Sequence, residues 1–315
     1  MSETLEGLCL LGPTAAGKTA MAAAIADRFP VSLISVDSAM VYRGMDIGTA
    51  KPDADFLARY PHRLIDIRDP WTPYSAGEFR DDAIVAMRDA LAAGRQPLLV
   101  GGTFLYVRAL QSGLAPLPRA DAGIRETLDA RAAVLGWPAL HGELAEVDPE
   151  TAARIAPADR QRIQRALEVY LLTGERLSAL QRQSSIDVPA VRLHRIALVP
   201  EDRAVLHARI ETRLAGMIAA GFVDEVRRLR ALPQMVGAPG AMRAVGYRQL
   251  WAHLDGEITL EEAWRQARVA TRRYAKRQLT WLRGEAPEAV IDPLRPDALD
   301  RVCRAIEAAG RAGAI

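Results

Sequence analysis

The chain has 315 residues, of which 50% are hydrophobic and 25% are charged, and its formal net charge is only +2. This composition predicts a soluble globular protein with one large or two smaller domains and argues against fibrous and disordered classes. The two cysteines, Cys9 and Cys303, lie far apart and offer neither metal-ligand spacing nor a disulfide framework. The acidic N-terminus lacks a signal-peptide core and no apolar run approaches a membrane span, so we expect a cytoplasmic location.

Residues 12–19, with the sequence GPTAAGKT, match the phosphate-loop pattern G-x-x-x-x-G-K-[ST] at every fixed position. An apolar stretch predicts a strand before this loop, and an alanine-rich stretch predicts a helix after it that stops at Pro30. Backbone amides and a helix N-terminus favour an anion, Lys18 adds positive charge, and the Thr19 hydroxyl can hold Mg²⁺. A chance glycine turn is the alternative interpretation. The motif predicts a di- or triphosphate ligand without saying which.

Residues 31–36 predict a second buried strand that ends in Asp37 and Ser38. A polar pair at the carboxyl end of such a strand lies at the ligand crevice of an open α/β sheet. Asp37 has two interpretations, a turn or helix-capping residue and a base or hydrogen-bond acceptor for a substrate. The glycine-containing stretch 41–52 carries Tyr, Arg and Lys, which is typical of a binding loop.

A third strand is predicted at residues 62–67, where we expect a structural role for His62, and a helix is predicted at residues 75–93. The strand at residues 97–100 then leads into Gly101, Gly102 and Thr103. An ordinary phosphate-loop ATPase would carry an acidic residue here, so its absence argues against that class. Thr103 either caps the next helix or presents its hydroxyl to a phosphate, and one residue can do both.

The composition changes at residues 112–118, and helices are predicted at 120–135, 137–147 and 159–173 with no strand between them. This pattern indicates an all-helical subdomain inserted into an α/β chain. The third helix begins with RQRIQR, residues 160–165, and Arg with Gln can bind both phosphates and base edges. A solvated helix face is the alternative.

The C-terminal part returns to a strand at residues 195–199, followed by a helical stretch, 203–232, with a break at Gly221. Residues 240–249 predict a loop that enters a helix, and residues 261–284 are the most basic segment. Arg265, Arg268, Arg272 and Lys276 share one face of that segment, with Tyr274, Gln278 and Trp281 interleaved. This pattern is typical of nucleic-acid binding. The alternative, a salt-bridged surface helix, has few acids nearby in sequence. An edge strand at 289–292 and a final helix complete the chain.

Together these stretches resemble the tRNA dimethylallyltransferases, also called isopentenyl-tRNA transferases. The resemblance covers nearly the whole chain in the family's order. The matching stretches are residues 12–19, Asp37-Ser38 with residues 41–52, residues 101–106, residues 159–171 with Thr173-Gly174, residues 243–247 and residues 275–281.

The resemblance implies an α/β fold in which a P-loop NTPase-like core, with a parallel sheet flanked by helices, carries an all-helical insertion subdomain. The expected core is residues 1–115 and 192–315, and the expected insertion, which would contact tRNA, is residues 116–191. The implied reaction transfers a dimethylallyl group from dimethylallyl diphosphate to N6 of adenine 37, adjacent to the anticodon, in tRNA. The partners would be that diphosphate and the tRNA anticodon stem-loop, with Mg²⁺ as cofactor, and we expect a monomer that contacts no membrane.

The resemblance also implies roles for individual residues. The catalytic residues would be Asp37, which accepts a proton from the adenine amine, Thr103 and Lys18. Thr19 would bind the metal, and Arg213, with Arg209 one turn earlier, would add positive charge at the diphosphate. The expected diphosphate-binding residues are Gly12, Pro13, Thr14, Ala15, Ala16, Gly17, Lys18, Thr19 and Arg213. The expected tRNA-binding residues are Asp37, Ser38, Ala39, Met40, Thr103, Arg125, Gln161, Arg162, Ile163, Gln164, Arg165, Gly240, Ala241, Met242, Arg243, Ala244, Val245, Lys276, Arg277, Gln278, Leu279, Thr280, Trp281, Leu282 and Arg283.

Two other functions fit parts of the sequence. A phosphate-loop kinase for a nucleoside or small molecule would share the loop and use Asp37 as its base, but it would not explain the basic C-terminal segment. An RNA-binding ATPase or helicase-like module would explain the basic helices but neither Asp37 nor residues 101–103.

Overall fold

The computed structural model describes residues 4–113, 115, 117–182, 190–236 and 240–312. The chain divides into two compact units. The core unit comprises Met1–Gln111 and Pro189–Ile315, and the insertion unit comprises Ser112–Val188. These bounds lie within a few residues of the expected insertion, residues 116–191.

The core unit is built on one six-stranded, entirely parallel sheet with the strand order β3-β2-β4-β1-β5-β6. Because all strands run the same way, their carboxyl ends meet at one edge, where ligands bind in open α/β folds. The strands are β1 (Leu5–Leu11), β2 (Val31–Val36), β3 (His62–Arg63), β4 (Gln96–Gly101), β5 (Val191–Leu198) and β6 (Ala289–Ile291).

Helices cover both faces of the sheet and are the only regular secondary structure in the described part of the insertion unit. Short 3₁₀ turns at Pro233–Met235 and Gly240–Arg243 connect the later helices. The helices are α1 (Lys18–Ala26), α2 (Ala54–Arg59), α3 (Ala76–Ala92), α4 (Phe104–Ser112), α5 (Ala122–Leu135), α6 (Trp137–Val147), α7 (Pro149–Arg154), α8 (Arg160–Thr173), α9 (Leu177–Arg182), α10 (Arg203–Ala219), α11 (Phe222–Arg230), α12 (Tyr247–Leu254), α13 (Leu260–Gly284) and α14 (Ala298–Ala312).

The alternation of side chains along β1 explains how the sheet is buried on both faces. Leu8 and Leu10 point to the face covered by α1 and α14, whereas Cys9 and Leu11 point to the face covered by α3 and α4. All four side chains are at most 3% exposed. This double burial explains why the strands appear in the sequence as continuous apolar runs.

The strand expected at residues 62–67 is wrong beyond its first two residues. Pairing with β2 ends at Arg63, and Leu64 and Asp66 adopt positive φ angles of 66° and 55°. Left-handed backbone interrupts a β ladder. The Asp66 carboxylate instead pairs with the buried ammonium of Lys51 at 2.6 Å.

The insertion unit has a hydrophobic core of its own, formed by α5, α6, α7, α8 and α9 around Leu128, Leu140, Leu144, Ile163 and Leu167. Two short helices in it, α7 and α9, were not predicted, because six residues are too few to show a helical period. None of the helices in the described parts of the chain is long and apolar enough to cross a membrane.

Candidate active site

Three loops meet at the carboxyl edge of the sheet. The end of β1 precedes the phosphate loop, the end of β2 precedes Asp37, and the end of β4 precedes Gly102 and Thr103. In the sheet register, Gly101 is paired with both Leu11 and Val36. Residues that lie far apart in sequence are therefore neighbours at one site.

The phosphate loop, residues 12–19, has the backbone expected of an anion cradle. Gly17 has φ of 91° and Ala15 has φ of 63°, angles that curl successive amides toward one centre. A Cβ atom on Gly12 would lie 2.6 Å from the carbonyl oxygen of Leu198, so no other residue fits there. The loop is a built feature of the fold rather than a chance glycine turn.

Four loop amides remain open for an anion. The Thr14 amide donates to Gln278 Oε1 and the Ala16 amide donates to the Pro13 carbonyl. The amides of Ala15, Gly17, Lys18 and Thr19 have no acceptor within the described parts of the chain.

Lys18 supplies a positive charge on which the nearby Asp37 carboxylate acts electrostatically without forming a direct ion pair. Its Nζ donates to the carbonyls of Gly12 at 2.9 Å and Pro13 at 2.8 Å, and no carboxylate in the described ranges forms an ion pair with it. Burial, with a further contribution from Arg213, lowers the pKa of Lys18 to about 8. A buried cation held only by carbonyls is poised to bind an incoming anion.

Arg209 and Arg213 extend this positive region from α10. Arg209 Nε donates to the Ala15 carbonyl at 2.7 Å, and Arg213 Nη2 donates to the Thr49 carbonyl at 2.9 Å. Burial lowers the pKa of Arg213. The structure thus brings both arginines to the phosphate loop.

The Asp37 carboxylate is held by a local turn. Its Oδ1 accepts from the amides of Ala39 at 2.8 Å and Met40 at 3.2 Å. Its Oδ2 has no hydrogen-bond donor among the described residues. The turn interpretation and the acceptor interpretation of Asp37 are therefore compatible, because each uses a different oxygen.

Thr103 packs against the loop that carries Asp37. Its Oγ1 accepts from the Ser38 amide at 3.1 Å, and its hydroxyl donates to Ser38 Oγ at 3.5 Å. The second contact is at the long limit of a hydrogen bond, so a ligand can replace it. Burial raises the pKa of Tyr274 on α13 to about 12, Asp37 adds to this effect, and the Thr103 hydroxyl opposes it. Tyr274, whose role sequence reasoning missed, thus lies beside both residues.

Two cavities in the core unit meet at these side chains. The first, of about 540 Å³, is lined by the phosphate loop together with Arg209 and Thr212 and is called the phosphate-loop cavity below. The second, of about 300 Å³, has apolar and aromatic walls and basic residues, and is called the α10–α13 cavity. Both cavities are lined by Thr14, Asp37, Arg213 and Tyr274. Asp37 therefore lies where an anion site adjoins an apolar site. Among the residues that line the second cavity are Ile210, Leu214, Met217, Phe222, Arg243, Ala244, Val245, Tyr247 and Arg277.

Glu225 on α11 anchors the loop of residues 41–52, and no sequence motif pointed to it. Its buried carboxylate accepts from the amides of Asp46, Ile47 and Gly48 and from the Tyr247 hydroxyl. The anchored loop places the Thr49 carbonyl against Arg213. The side chains of Tyr42 and Lys51 are buried, whereas Gly48, Thr49 and Pro52 line the cavities, so the binding loop stays a prediction that rests on these three residues.

The basic residues of helix α13 fall into two sets. The paired set forms ion pairs with carboxylates, and the open set forms none with the described residues. Arg265 pairs with Glu262, and both Arg268 and Arg272 pair with Glu211 of α10. The expectation that too few acids balance this helix is therefore wrong for Arg268 and Arg272, because their shared partner Glu211 is remote in sequence. Arg265 is balanced by Glu262 of the helix itself. The open set, exposed and without an acidic partner in the described ranges, is Arg273, Lys276, Arg277 and Arg283.

Helix α8 of the insertion unit uses most of its polar residues internally. Glu168 is fully buried and pairs with Arg125 at 2.8 Å and Arg165 at 2.6 Å. Although burial raises the pKa of Glu168, hydrogen bonds from the two arginines and the Asp121 amide lower it overall. Gln164 donates to Asp129 and to the Arg125 carbonyl.

Some side chains expected to contact tRNA are buried, which corrects those expectations. The side chains of Ile163, Gln164, Ala241, Met242, Gln278 and Leu282 are at most 8% exposed. Arg125 and Arg165 bind Glu168 but remain 40% and 28% exposed. Leu279 and Trp281 are partly buried against the hydrophobic core, and tRNA contact stays a prediction for these four residues. Among the expected residues, Ser38, Gln161, Arg162, Gly240, Arg243, Lys276, Arg277, Thr280 and Arg283 are exposed.

Comparison with known proteins identifies the family of the chain. The family model described as IPP transferase matches residues 40–285. The chain belongs to the IPP transferase family. It is 54% identical over 304 residues to a tRNA dimethylallyltransferase of Bordetella petrii, covering 96% of this chain and 97% of that one. It is 56% identical over 303 residues to a tRNA dimethylallyltransferase of Burkholderia mallei, covering 95% and 93%.

A solved structure supports the fold assignment. The full-length tRNA isopentenylpyrophosphate transferase of Bacillus halodurans superposes with a TM-score of 0.70 at 36% identity, covering 99% of this chain and 100% of that one. The expectation of an α/β fold with a parallel sheet flanked by helices is confirmed, and so is the family resemblance seen in the sequence.

Proposed function

We propose that this protein transfers a dimethylallyl group from dimethylallyl diphosphate to N6 of adenine 37, adjacent to the anticodon, in tRNA. One observation carries the proposal. Asp37 lies at the junction of a cavity that suits a diphosphate and a cavity with aromatic, apolar and basic walls that suits a nucleobase. The names of the relatives point to the same reaction.

The donor's diphosphate binds in the phosphate-loop cavity. As the C–O bond of the donor breaks, negative charge develops on the leaving pyrophosphate. Lys18, the four open loop amides and Arg213 stabilise that charge in a partly buried site, where preorganised donors act most strongly. The Thr103 hydroxyl can donate a further hydrogen bond to the diphosphate in place of its long contact with Ser38 Oγ.

The residues around Thr19 fit a Mg²⁺ ion bound together with the diphosphate. The hydroxyls of Thr19 and Ser35 and the carboxylate of Asp37 line the phosphate-loop cavity. Oxygen donors are the ligands that Mg²⁺ prefers, and this ion commonly takes its remaining ligands from phosphates and water. Mg²⁺ would supply charge neutralisation of the leaving pyrophosphate, and Thr19 would hold it.

The acceptor adenine enters the α10–α13 cavity from the other side of Asp37. Its N6 amine is a weak nucleophile, because its lone pair is delocalised into the ring. Asp37 Oδ2 accepts a hydrogen bond from N6 and takes its proton as the N–C bond forms. General-base assistance of this kind is typically worth ~10²–10⁴-fold in rate. The base must leave the RNA stack to reach this cavity.

The RNA surface that we propose consists of exposed cations near the mouth of the α10–α13 cavity. Arg243 and Arg277 line that cavity, and Lys276 and Arg283 continue the basic face of α13. On the insertion unit, the exposed residues Gln161 and Arg162 are the remaining candidates. An anticodon stem-loop offers the single-stranded bases and phosphates that such residues recognise. We also propose that the protein acts as a monomer in the cytoplasm.

The test is transfer of label from dimethylallyl diphosphate to an anticodon stem-loop, with and without Mg²⁺. We expect label on the RNA, and less of it without Mg²⁺. A parallel reaction contains ATP and nucleosides instead. Phosphate transfer from ATP with no label on the RNA would contradict the proposal and favour a phosphate-loop kinase.

A further inference from the structure

The carboxamide of Gln278, in the middle of α13, is built into the phosphate-loop site. It is 4% exposed and touches two loops at once. Its Oε1 accepts from the Thr14 amide at 2.8 Å, and its Nε2 donates to the Gly102 carbonyl at 2.9 Å. One side chain therefore connects the loop after β1 to the turn after β4.

The fit around this carboxamide leaves no space for another side chain. A Cβ atom on Gly102 would lie 2.3 Å from Gln278 Nε2 and 3.0 Å from the Gly12 carbonyl oxygen. Only glycine at position 102 lets the carboxamide and the phosphate loop approach this closely. This contact explains why glycine follows β4 where an ATPase would be expected to carry an acid.

The hydrogen bond to Gln278 also occupies one of the loop amides. Because Thr14 donates to Gln278, its amide is already satisfied, unlike the amides of Ala15, Gly17, Lys18 and Thr19. Tyr274, one helical turn before Gln278, lines both cavities beside Asp37. The same helix thus fixes one side of the anion site and one side of the junction.

We propose that Gln278 is a positioning residue for the donor, which holds the phosphate loop in the geometry that binds the diphosphate. It does so without contacting RNA. The inference rests on the proposed function only for the identity of the donor, since the anion site itself is built by the loop. A loop that must order itself on binding gives up part of its affinity, so removing Gln278 weakens diphosphate binding.

The principal variant is Gln278→Met, which keeps the length and volume of the side chain but removes both hydrogen bonds. We expect the Kd for inorganic pyrophosphate and the KM for dimethylallyl diphosphate to rise about tenfold, as for loss of one to two hydrogen bonds. The Kd for the anticodon stem-loop stays within twofold of that of the unmodified protein. Gln266→Met is the matched control, because Gln266 lies on the same helix and bonds only to Glu262 within the described ranges.

A second variant perturbs the same contact from the other side. Gly102→Ala pushes the carboxamide away and raises the same two constants. In the Gln278→Ala background, where the carboxamide is gone, Gly102→Ala has a smaller additional effect than it has alone. Additive effects would contradict a shared contact, and this pair of variants remains informative if Gln278→Met folds poorly.

The outcomes separate the inference from the proposed function. Unchanged pyrophosphate affinity in Gln278→Met overturns the inference, and so does a loss confined to RNA binding, which would make Gln278 an RNA-binding residue. If the unmodified protein binds pyrophosphate but transfers no label to RNA, the proposed function fails while pyrophosphate binding still decides the role of Gln278.

Discussion

The sequence predicted anion binding for basic side chains at both the phosphate loop and helix α8. In the structure, the α8 arginine pairs with a carboxylate of the protein, whereas the cations at the loop form no ion pair within the described parts of the chain. On α8, Arg165, together with Arg125 of α5, binds the buried carboxylate of Glu168. At the loop, Lys18 is held by two carbonyls and Arg213 by a third. The number of basic residues is therefore a poor guide to a binding site. What distinguishes the two regions is whether the fold already supplies the counterion.

The largest expected effect on turnover comes from substituting Asp37, the proposed general base beside the phosphate loop. Asp37→Asn keeps the turn through Oδ1 but cannot take a proton, so we expect turnover to fall ~10²–10⁴-fold. Single-turnover transfer at saturating donor and stem-loop measures this step. RNA binding should stay near normal, and a collapse of RNA affinity with little change in the transfer rate would make Asp37 a recognition residue instead.

The sequence predicted the loop region well, because its information is local. Residues 12–19, Asp37 and Thr103 each follow a strand, and parallel strands bring their carboxyl ends together. The partners of the basic residues could not be predicted. Glu211 lies more than 50 residues before Arg268, and Gln278 lies 264 residues from Thr14. Glu225 likewise acts on a loop nearly 180 residues away. Such pairings depend on tertiary packing, which periodicity does not record.

The second prediction removes the cation of the loop region. Lys18→Met should lower turnover by roughly 10²–10³-fold, as loss of one preorganised group at a developing charge does, and should weaken pyrophosphate binding. Arg265→Met, which removes a cation already paired with Glu262, is the control and should have little effect on either quantity. Equal effects of the two substitutions would contradict the claim that only cations without an ion-pair partner contribute to anion binding.

The third prediction concerns the α8 region, where the charges stabilise the fold. Glu168→Leu leaves Arg125 and Arg165 without their buried partner. Because both arginines are partly exposed and can be solvated, we expect a loss of about 1.5–3 kcal/mol of stability in the insertion unit, as for hydrogen bonds to a charged group. Hydrogen exchange of the α8 amides, followed by mass spectrometry, measures the local loss. Glu150→Leu, which removes an exposed partner of Arg182, is the control and should change exchange little. Normal α8 protection in Glu168→Leu would show that the pair is dispensable.

The fourth prediction compares the open and the paired basic residues of α13. Replacing Arg273, Lys276 and Arg277 by Ala should weaken binding of the anticodon stem-loop roughly 10–100-fold and lower the slope of log Kd against log salt by about 2. Replacing the paired residues Arg265, Arg268 and Arg272 is the matched control, and it should change the slope by less than half as much. Equal slopes for the two triple variants would remove the open set from the RNA interface.

The smallest effect is the pH dependence that Lys18 gives to the loop region. Its pKa of about 8 in the folded protein means that it loses its charge above pH 8, so pyrophosphate affinity should fall by up to about tenfold per pH unit there. The effect of rising pH on folding stability has the opposite sign. Because the unfolded chain keeps the proton up to a pKa near 10.4, this group's contribution to stability rises between pH 8 and that value. Titration calorimetry at several pH values measures the affinity, and Lys18→Met should lack the dependence.

The most direct measurement is a crystal structure of the protein with a non-hydrolysable analogue of dimethylallyl diphosphate and an anticodon stem-loop. We predict the diphosphate among Lys18, Thr19 and the open loop amides, and an extruded adenine in the α10–α13 cavity with its N6 within hydrogen-bonding distance of Asp37 Oδ2. A diphosphate bound elsewhere, or an adenine remote from Asp37, would contradict the account that the two cavities form one reaction site.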